Sequence, residues 1–541
     1  MDNILSHIKK DDLLRPSTLV AIAAALCGAE LARRILKLRA ALAGIGNLPG
    51  RRTLCGPHTL LAAFLPQIPY INLPAGWQFK EKYRLHEQYG ADVVSSAYLF
   101  DPDNIYLWIA DAAIAKKITT ITPKKVDFPK PIKMFEAICI YGGNIVAAEF
   151  DEWRRHRRIA GPSFSDRNNK VVHEETTRLT EDLLDRWSAK GARVVNIDNV
   201  VTFTSKLTVM IISIAGFGYS FGWDETEEMP PGHKMTFRTS LSTLLYNFPL
   251  RLLFSDSALM FSKTGRKVVT AFKELGVYMS EMIEERRQGG SAGEPDLFTN
   301  LINGTSEDPK ERAENQLSNE ELKGNIFTFL FGGHETTAHS LGFTLALLAM
   351  HPDIQEKAFQ ELRRIVPEGE APTYAQILEW KYGLAVTHES LRMFPPILSL
   401  WRYSGHDTVL TTFSTDGRNT PITFPVPQGT KIMVSIAGLH YNPKYWDQPE
   451  LFRPERFLGN YNKDAFMPWG AGPRSCIGRR FSETDSLTFL ANLLLKYRFK
   501  VTPISDKETP AEMKERVLRW SHGMITIAPE KVPLTFTLRD K

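Results

Sequence analysis

The sequence predicts a mainly helical α+β fold, and three observations predict it. Apolar positions recur at helical spacing through almost all of residues 150–400. The β-rich pieces are short and gather towards the two ends of the chain. The helical middle is long and does not alternate with strands, as a doubly wound sheet would require. With 541 residues, 43% of them hydrophobic and 23% charged, the chain exceeds the usual single domain but has material for one large core around a cofactor. The net charge of +5 is mild for this length, and no basic block or stacking series accompanies it, so nucleic acid is not an expected partner. Cys27, Cys55, Cys139 and Cys476 include no Cys-x-x-Cys spacing, which argues against structural zinc and a disulfide framework and fits a reducing compartment.

From the N-terminus, Thr18–Ala29 is an alanine-rich apolar run, followed by Glu30 and the basic set Arg33, Arg34, Lys37 and Arg39. A spanning helix wants about 20 apolar residues. Three readings therefore stay open: a short span lengthened by Leu31, Ala32 and Ile35, an amphipathic helix lying in the interface, and a cleaved leader, which Asp11, Asp12 and Glu30 oppose. Lys and Arg are slightly richer on the C-terminal side, which orients the following domain towards the cytosol. Residues 60–73 (LLAAFLPQIPYINL) are apolar and proline-broken, a candidate second membrane-touching surface. The pattern at 77–90 predicts a helix ending at Gly90, and strands are expected at 93–100 and 104–111, split by turn residues Asp101 to Asn104. Helices are expected at 171–189, 257–287, 317–350 and 353–365, and strands again at 430–436, 524–529 and 534–540.

Within the apolar helix from Leu322 to Met350 stands FGGHETT. Gly332 and Gly333 each cost roughly 1 kcal/mol against alanine in a helix, so an opening of the helix is expected there. Glu335 and Thr336 then place an acid beside a hydroxyl, the parts needed to deliver the two protons that dioxygen scission consumes. A plain kink, with threonines bonded back to carbonyls, is the other reading. His334 is expected in solvent or a groove.

The stretch Trp469 to Gly478, WGAGPRSCIG, surrounds Cys476 with what a thiolate-ligated haem iron needs. Gly470, Gly472 and Gly478 let the backbone turn and approach the sulfur, backbone N–H groups can tune it, and Arg474 suits a haem propionate. A helix is expected from Ile477 onward, and its dipole would lower the thiol pKa. Trp153 and Arg157 share a helix face, and both suit a propionate. With Arg479, the neighbours Arg154, Arg155 and Arg158 form a candidate basic patch for an acidic partner; solvated surface charge is the alternative. Glu389 and Arg392 form a Glu-x-x-Arg pair, a pattern that also begins at Glu30, Glu81, Glu152, Glu175, Glu284, Glu361 and Glu450 and so has little meaning alone.

The cysteine stretch resembles that of the cytochrome P450 family, Phe-Gly-x-Gly-x-Arg-x-Cys-x-Gly, with Trp469 in place of Phe. The similarity covers roughly residues 75–540. Gly332, Gly333, Glu335 and Thr336 match the family's Ala/Gly-Gly-x-Asp/Glu-Thr, and Trp153 with Arg157 matches its Trp-x-x-x-Arg. The resemblance implies Cys476 as axial ligand of haem b, Thr336 and Glu335 as the oxygen-side hydroxyl and acid, Arg402 as a further propionate partner, and a buried network of Glu389, Arg392 and Arg456 behind the cysteine loop. It implies the mainly helical P450 fold with small β-sheets, a membrane anchor and linker over residues 1–52 with NLPGRR at 47–52 as the linker, and a haem domain over 53–541. The implied function is monooxygenation of an apolar small molecule with dioxygen and NADPH electrons from a separate NADPH-cytochrome P450 reductase. The implied place is the endoplasmic reticulum membrane, facing the cytosol. A haem-thiolate isomerase, dehydratase or peroxygenase on the same scaffold, and a haem sensor without turnover, stand as alternatives. By the same analogy the pocket takes Phe135, Ile138, Tyr141, Leu244, Tyr246, Phe248, Phe327 to Phe331, Leu398, Leu400, Trp401 and the turn around His522, which suggests a terpenoid, steroid, fatty or polyaromatic substrate.

Overall fold

A computed structural model describes residues 16–56, 68–73, 76–120, 127–189, 191–219, 222–223, 228–288, 297–305, 316–418, 420–523 and 525–540. The chain forms two compact units, one made of Met1–Ile118, Asp127–Pro129 and Trp401–Leu439, the other of Thr119–Val126, Lys130–Leu400 and His440–Lys541.

In the first unit, α1 (Pro16–Gly44) has no buried residue, and its Arg34 donates to the Phe100 carbonyl at 2.7 Å. Among the described residues only Val200–Phe217, in the second unit, is long and apolar enough to cross a membrane, and 67% of it is buried. Residues 47–52, expected as a linker, run into the strand Gly50–Thr53, which pairs in parallel with Val93–Tyr98. Ile45 and Leu48 beside it are buried. The five-stranded sheet runs in the order Gly50–Thr53, Val93–Tyr98, Asp101–Ile109, Lys431–Ser435, Ser399–Tyr403. The turn expected at Asp101 to Asn104 is displaced to Leu99 and Phe100, and Asp101 opens the strand. The helix expected at 77–90 is two, α2 (Trp77–Glu81) and α3 (Arg84–Tyr89), because Lys82 takes φ 50° between them; Gly90 at φ 67° stops the second, as expected. Trp77, Leu85, Val94, Tyr98, Tyr106, Trp108 and Met433 pack as this unit's core. Of the proposed second membrane surface, residues 60–67 lie outside the described residues, and Tyr70 is 82% exposed.

The second unit is helical: α4 (Phe150–Ala160), α5 (Asp166–Ser188), α6 (Val200–Phe217), α7 (Lys263–Arg287), α8 (Asn319–Met350), α9 (Lys381–Met393) and α10 (Arg479–Lys496) are its main elements. A strand, Val194–Ile197, interrupts the helical middle where none was expected; it pairs with Leu534–Leu538, which also pairs with Tyr497–Val501. Such a short run has too little period to announce itself. A capping box of Ser318 and Glu321 starts α8, and almost every face of that helix is buried. The expected break at Gly332 and Gly333 is absent, since α8 runs unbroken across them. Gly333 has a packing reason: a Cβ would stand 3.2 Å from Ile212 of α6. Two threonines of α6 secure the crossing, Thr204 donating to the Ala338 carbonyl at 3.1 Å and Thr208 to that of His334 at 3.2 Å.

Candidate active site

The cysteine loop folds around its thiol. Gly470 and Gly472 hold φ of 71° and 68°, a region that a Cβ disfavours, and a Cβ on Gly472 would stand 2.3 Å from the Thr119 carbonyl oxygen. The Cys476 N–H donates to the Trp469 carbonyl at 2.8 Å. Gly478 differs. Its φ is −86°, and a Cβ there would make only ordinary contacts, 3.7 Å from Phe164 and 3.9 Å from the Cys476 sulfur. Its contribution is an N–H directed at the sulfur, not freedom to turn.

Cys476 is exposed by surface area, yet burial pushes its thiol pKa up. Both hold when the sulfur faces an internal surface. The expected lowering at the start of α10 is overturned: burial outweighs the Gly478 N–H and the charges of Arg157 and Arg479, which pull the other way. An iron ion would deprotonate the thiol outright. The residues therefore fit a haem-thiolate ligand: an inward-facing sulfur with a backbone donor and two guanidinium groups near it.

Around the loop, Arg157 donates to the Ser475 carbonyl at 3.1 Å. Arg474 lies 4.4 Å over the Trp153 ring and pairs with Glu149 at 2.6 Å, so a carboxylate of the chain itself meets the guanidinium expected for a propionate. Arg479 lies 4.6 Å over the Trp469 ring, and the indole N–H donates to Ser482 at 3.2 Å. Arg155 does not join a surface patch; it is tied to Glu321 and to the Gln316 carbonyl. Arg402 belongs to the first unit, buried on Ser399–Tyr403, with Nη1 donating to the Trp401 carbonyl at 2.8 Å.

Behind the loop, Glu389 and Arg392 are both fully buried and joined by bonds of 2.7 and 2.8 Å. Arg456 reaches Glu389 at 3.2 Å, and the Arg453 N–H donates to the same carboxylate at 3.0 Å. The three residues expected together are together. Sequence reasoning missed His440. Its Nε2 accepts from the Met467 N–H at 2.9 Å, so Nδ1 carries the proton and donates to the Arg392 carbonyl at 3.0 Å. This histidine links the network to the residues leading into the cysteine loop. Burial pulls its pKa down to about 3, so it stays a neutral bridge. A lone histidine in GLHYNP carries no spacing signal that could have found it.

On α8 the Thr336 hydroxyl donates to the Gly332 carbonyl at 2.7 Å. Glu335 shares a face with His339, one turn on. His334 is buried, not in solvent, and burial holds its pKa near about 3. Glu152, His156 and Glu321 approach within 4.8 Å, a spacing open to a cation. The Asn325 amide, however, donates to His156 Nδ1 at 2.9 Å while its oxygen accepts from the Ile145 N–H. That leaves the ring proton on Nε2, facing Glu321 at 3.4 Å, so the cluster is a hydrogen-bond network.

Among the expected pocket residues, Tyr141 stacks on Phe272 at 4.7 Å and meets Phe327 at 5.2 Å, and Phe248 meets Phe331 at 4.9 Å. Phe272, on α7, had no motif to mark it. Tyr246 is 73% exposed by surface area while burial raises its pKa, and Trp401 packs on Tyr106 in the first unit.

Known proteins resemble this chain along most of its length. The family model described as Cytochrome P450 matches residues 107–527. "Cytochrome P450 monooxygenase 124" of Postia placenta is 38% identical over 94% of this chain and 97% of its own. "Cytochrome P450 4F3" of Mus musculus is 30% identical over 75% and 76%, and "Bifunctional cytochrome P450/NADPH--P450 reductase 1" of Bacillus subtilis is 31% identical over 64% of this chain and 31% of its own. The crystal structure of the cytochrome P450DA heme domain aligns with a TM-score of 0.69 at 22% identity, covering 91% of this chain and 99% of that one.

Proposed function

The chain belongs to the cytochrome P450 family, a haem-thiolate monooxygenase with haem b as cofactor, and on that premise we propose which residues do the work. Cys476 supplies the thiolate; Gly470 shapes its loop and Gly478 donates to it. Trp153, Arg157 and Arg474 hold the propionates, and Glu389, Arg392 and Arg456 lock the loop. Bound there, the haem supplies the electron-driven scission of dioxygen that places one oxygen atom in the substrate and the other in water.

The protein's own task is to hold the substrate dry and to move two protons. Thr336 holds one proton at Oγ1, bonded to the Gly332 carbonyl until it is drawn away, and the Glu335 carboxyl replenishes it. The aromatic rings of Tyr141, Phe272, Phe327, Phe248 and Phe331 exclude water and orient an apolar substrate of the terpenoid, steroid, fatty or polyaromatic class. Electrons come from NADPH through a separate reductase; the Bacillus subtilis relative is named for both parts in one chain. The exposed side chains Leu19, Val20, Ile22 and Leu26 of α1 support attachment to the endoplasmic reticulum membrane, with α1 as the anchor and the strand Gly50–Thr53 already part of the folded sheet.

The observation that carries this reading is the inward-facing Cys476 sulfur with the Gly478 N–H and the Arg157 and Arg479 charges acting on it. The test is product formation by the haem protein with its reductase. Dependence on both NADPH and dioxygen is expected. Turnover without either would favour an isomerase or dehydratase, and turnover on hydrogen peroxide alone a peroxygenase.

A further inference from the structure

His339 stands one turn after Glu335 on α8, and both face the turn between the strands Trp520–His522 and Ile527–Pro529. Its Nδ1 lies 2.9 Å from Thr526 Oγ1 and 4.0 Å from Glu335 Oε1. Gly523 closes the group: a Cβ there would stand 2.8 Å from Glu335 Oε1 and 3.5 Å from Thr526 Oγ1. The carboxyl and the hydroxyl thus share a small space that only a glycine leaves open. Thr526 is fully buried. Burial pulls the His339 pKa down to about 4, and the nearby His334 is held neutral in the same way. A neutral imidazole gives Glu335 no ion pair, so what it offers is direction. When Nδ1–H donates to Thr526 Oγ1, the hydroxyl proton is left for a carboxyl oxygen.

We propose that His339 and Thr526 are positioning residues for Glu335. The ring fixes the Thr526 hydroxyl, and the hydroxyl with the Gly523 turn fixes the carboxyl, so that acid and alcohol stand in one geometry at adjacent positions of α8. This rests on Glu335 being the proton-delivering acid. His339 lies outside the acid–alcohol pattern, and Thr526 follows it by 187 residues.

The experiment uses the full chain with haem and its reductase, in H339L, H339N, T526V and E335Q. With the carbon monoxide band intact, H339L and T526V should lower product formed per NADPH by roughly tenfold, less than the 10²-fold of a fully misplaced group. H339N, whose amide nitrogen can take the place of Nδ1, should recover most of it. Without turnover, the infrared carboxyl band that E335Q removes should shift in H339L and T526V. Should E335Q uncouple while H339L and T526V leave both the ratio and the band unchanged, or should H339N be as impaired as H339L, the positioning role is overturned. An unaffected ratio in E335Q would instead remove the acid assignment, and the proposal with it.

Discussion

The cysteine loop and the middle of α8 solve opposite electrostatic problems. Around Cys476 the chain concentrates charge: Arg157 and Arg479 act on the sulfur, Arg474 is paired with Glu149, and Glu389 with Arg392 and Arg456 stand behind. Around Thr336 it suppresses charge. His334 and His339 are neutral, with burial pulling their pKa values to about 3 and about 4, and hydroxyls of Thr204, Thr208 and Thr336 occupy helix carbonyls. Holding an anionic ligand calls for many fixed partners, each costly to lose. Passing a proton calls for few groups that remain neutral and exchange one hydrogen bond for another.

The contrast can be broken most severely at the sulfur. Cys476→Ser should abolish the red-shifted carbon monoxide band of the reduced haem protein and all product formation; a retained band would exclude Cys476 as the ligand. Next comes the buried network. Arg392→Ala should cost about 3–5 kcal/mol of stability by taking one partner out of the buried network around Glu389, measured by denaturant unfolding, and a loss under about 1 kcal/mol would show that Arg392 is not essential to the fold. Across the divide, Thr336→Ala should keep the band and change stability by about 1 kcal/mol or less, while product per NADPH falls roughly 10²-fold; equal product per NADPH would contradict its role.

A pH-dependent effect sharpens the comparison from the charged side. Asp485 of α10 is buried with the Thr176 hydroxyl of α5 at 3.5 Å, and burial raises its pKa to about 7. The folded state then binds a proton that the unfolded state releases above about 4, so stability should fall as pH rises from about 4 to about 7, by a few kcal/mol at most. Asp485→Asn should flatten that dependence. An unchanged slope in a pH series of unfolding curves would mean that Asp485 is ionised in the fold.

Long periodic segments were legible. The helix expected at 317–350 is Asn319–Met350, and that at 353–365 is Pro352–Ile365, because a stripe of apolar side chains records its own period. Strands of four to six residues such as Val194–Ile197, Ser399–Tyr403 and Tyr497–Val501 went unseen, since their pairing partners lie far along the chain. The helix break expected at Gly332 and Gly333 failed for a related reason: packing on α6 and threonine hydrogen bonds offset a local propensity of roughly 1 kcal/mol per glycine.

By itself the sequence determined the patterns from which the chemistry is proposed. A cysteine among glycines with an arginine before it, and an acid beside a hydroxyl in an apolar helix, are local patterns whose spacing carries their meaning. Only the tertiary structure decided the supporting parts: that Glu149 meets Arg474, that His440 joins Arg392 to Met467, that Arg155 turns to Glu321, and that His339 finds Thr526. Each is a contact between residues remote in the chain, and the burial that holds those histidines neutral comes from packing, which no local pattern of residues encodes.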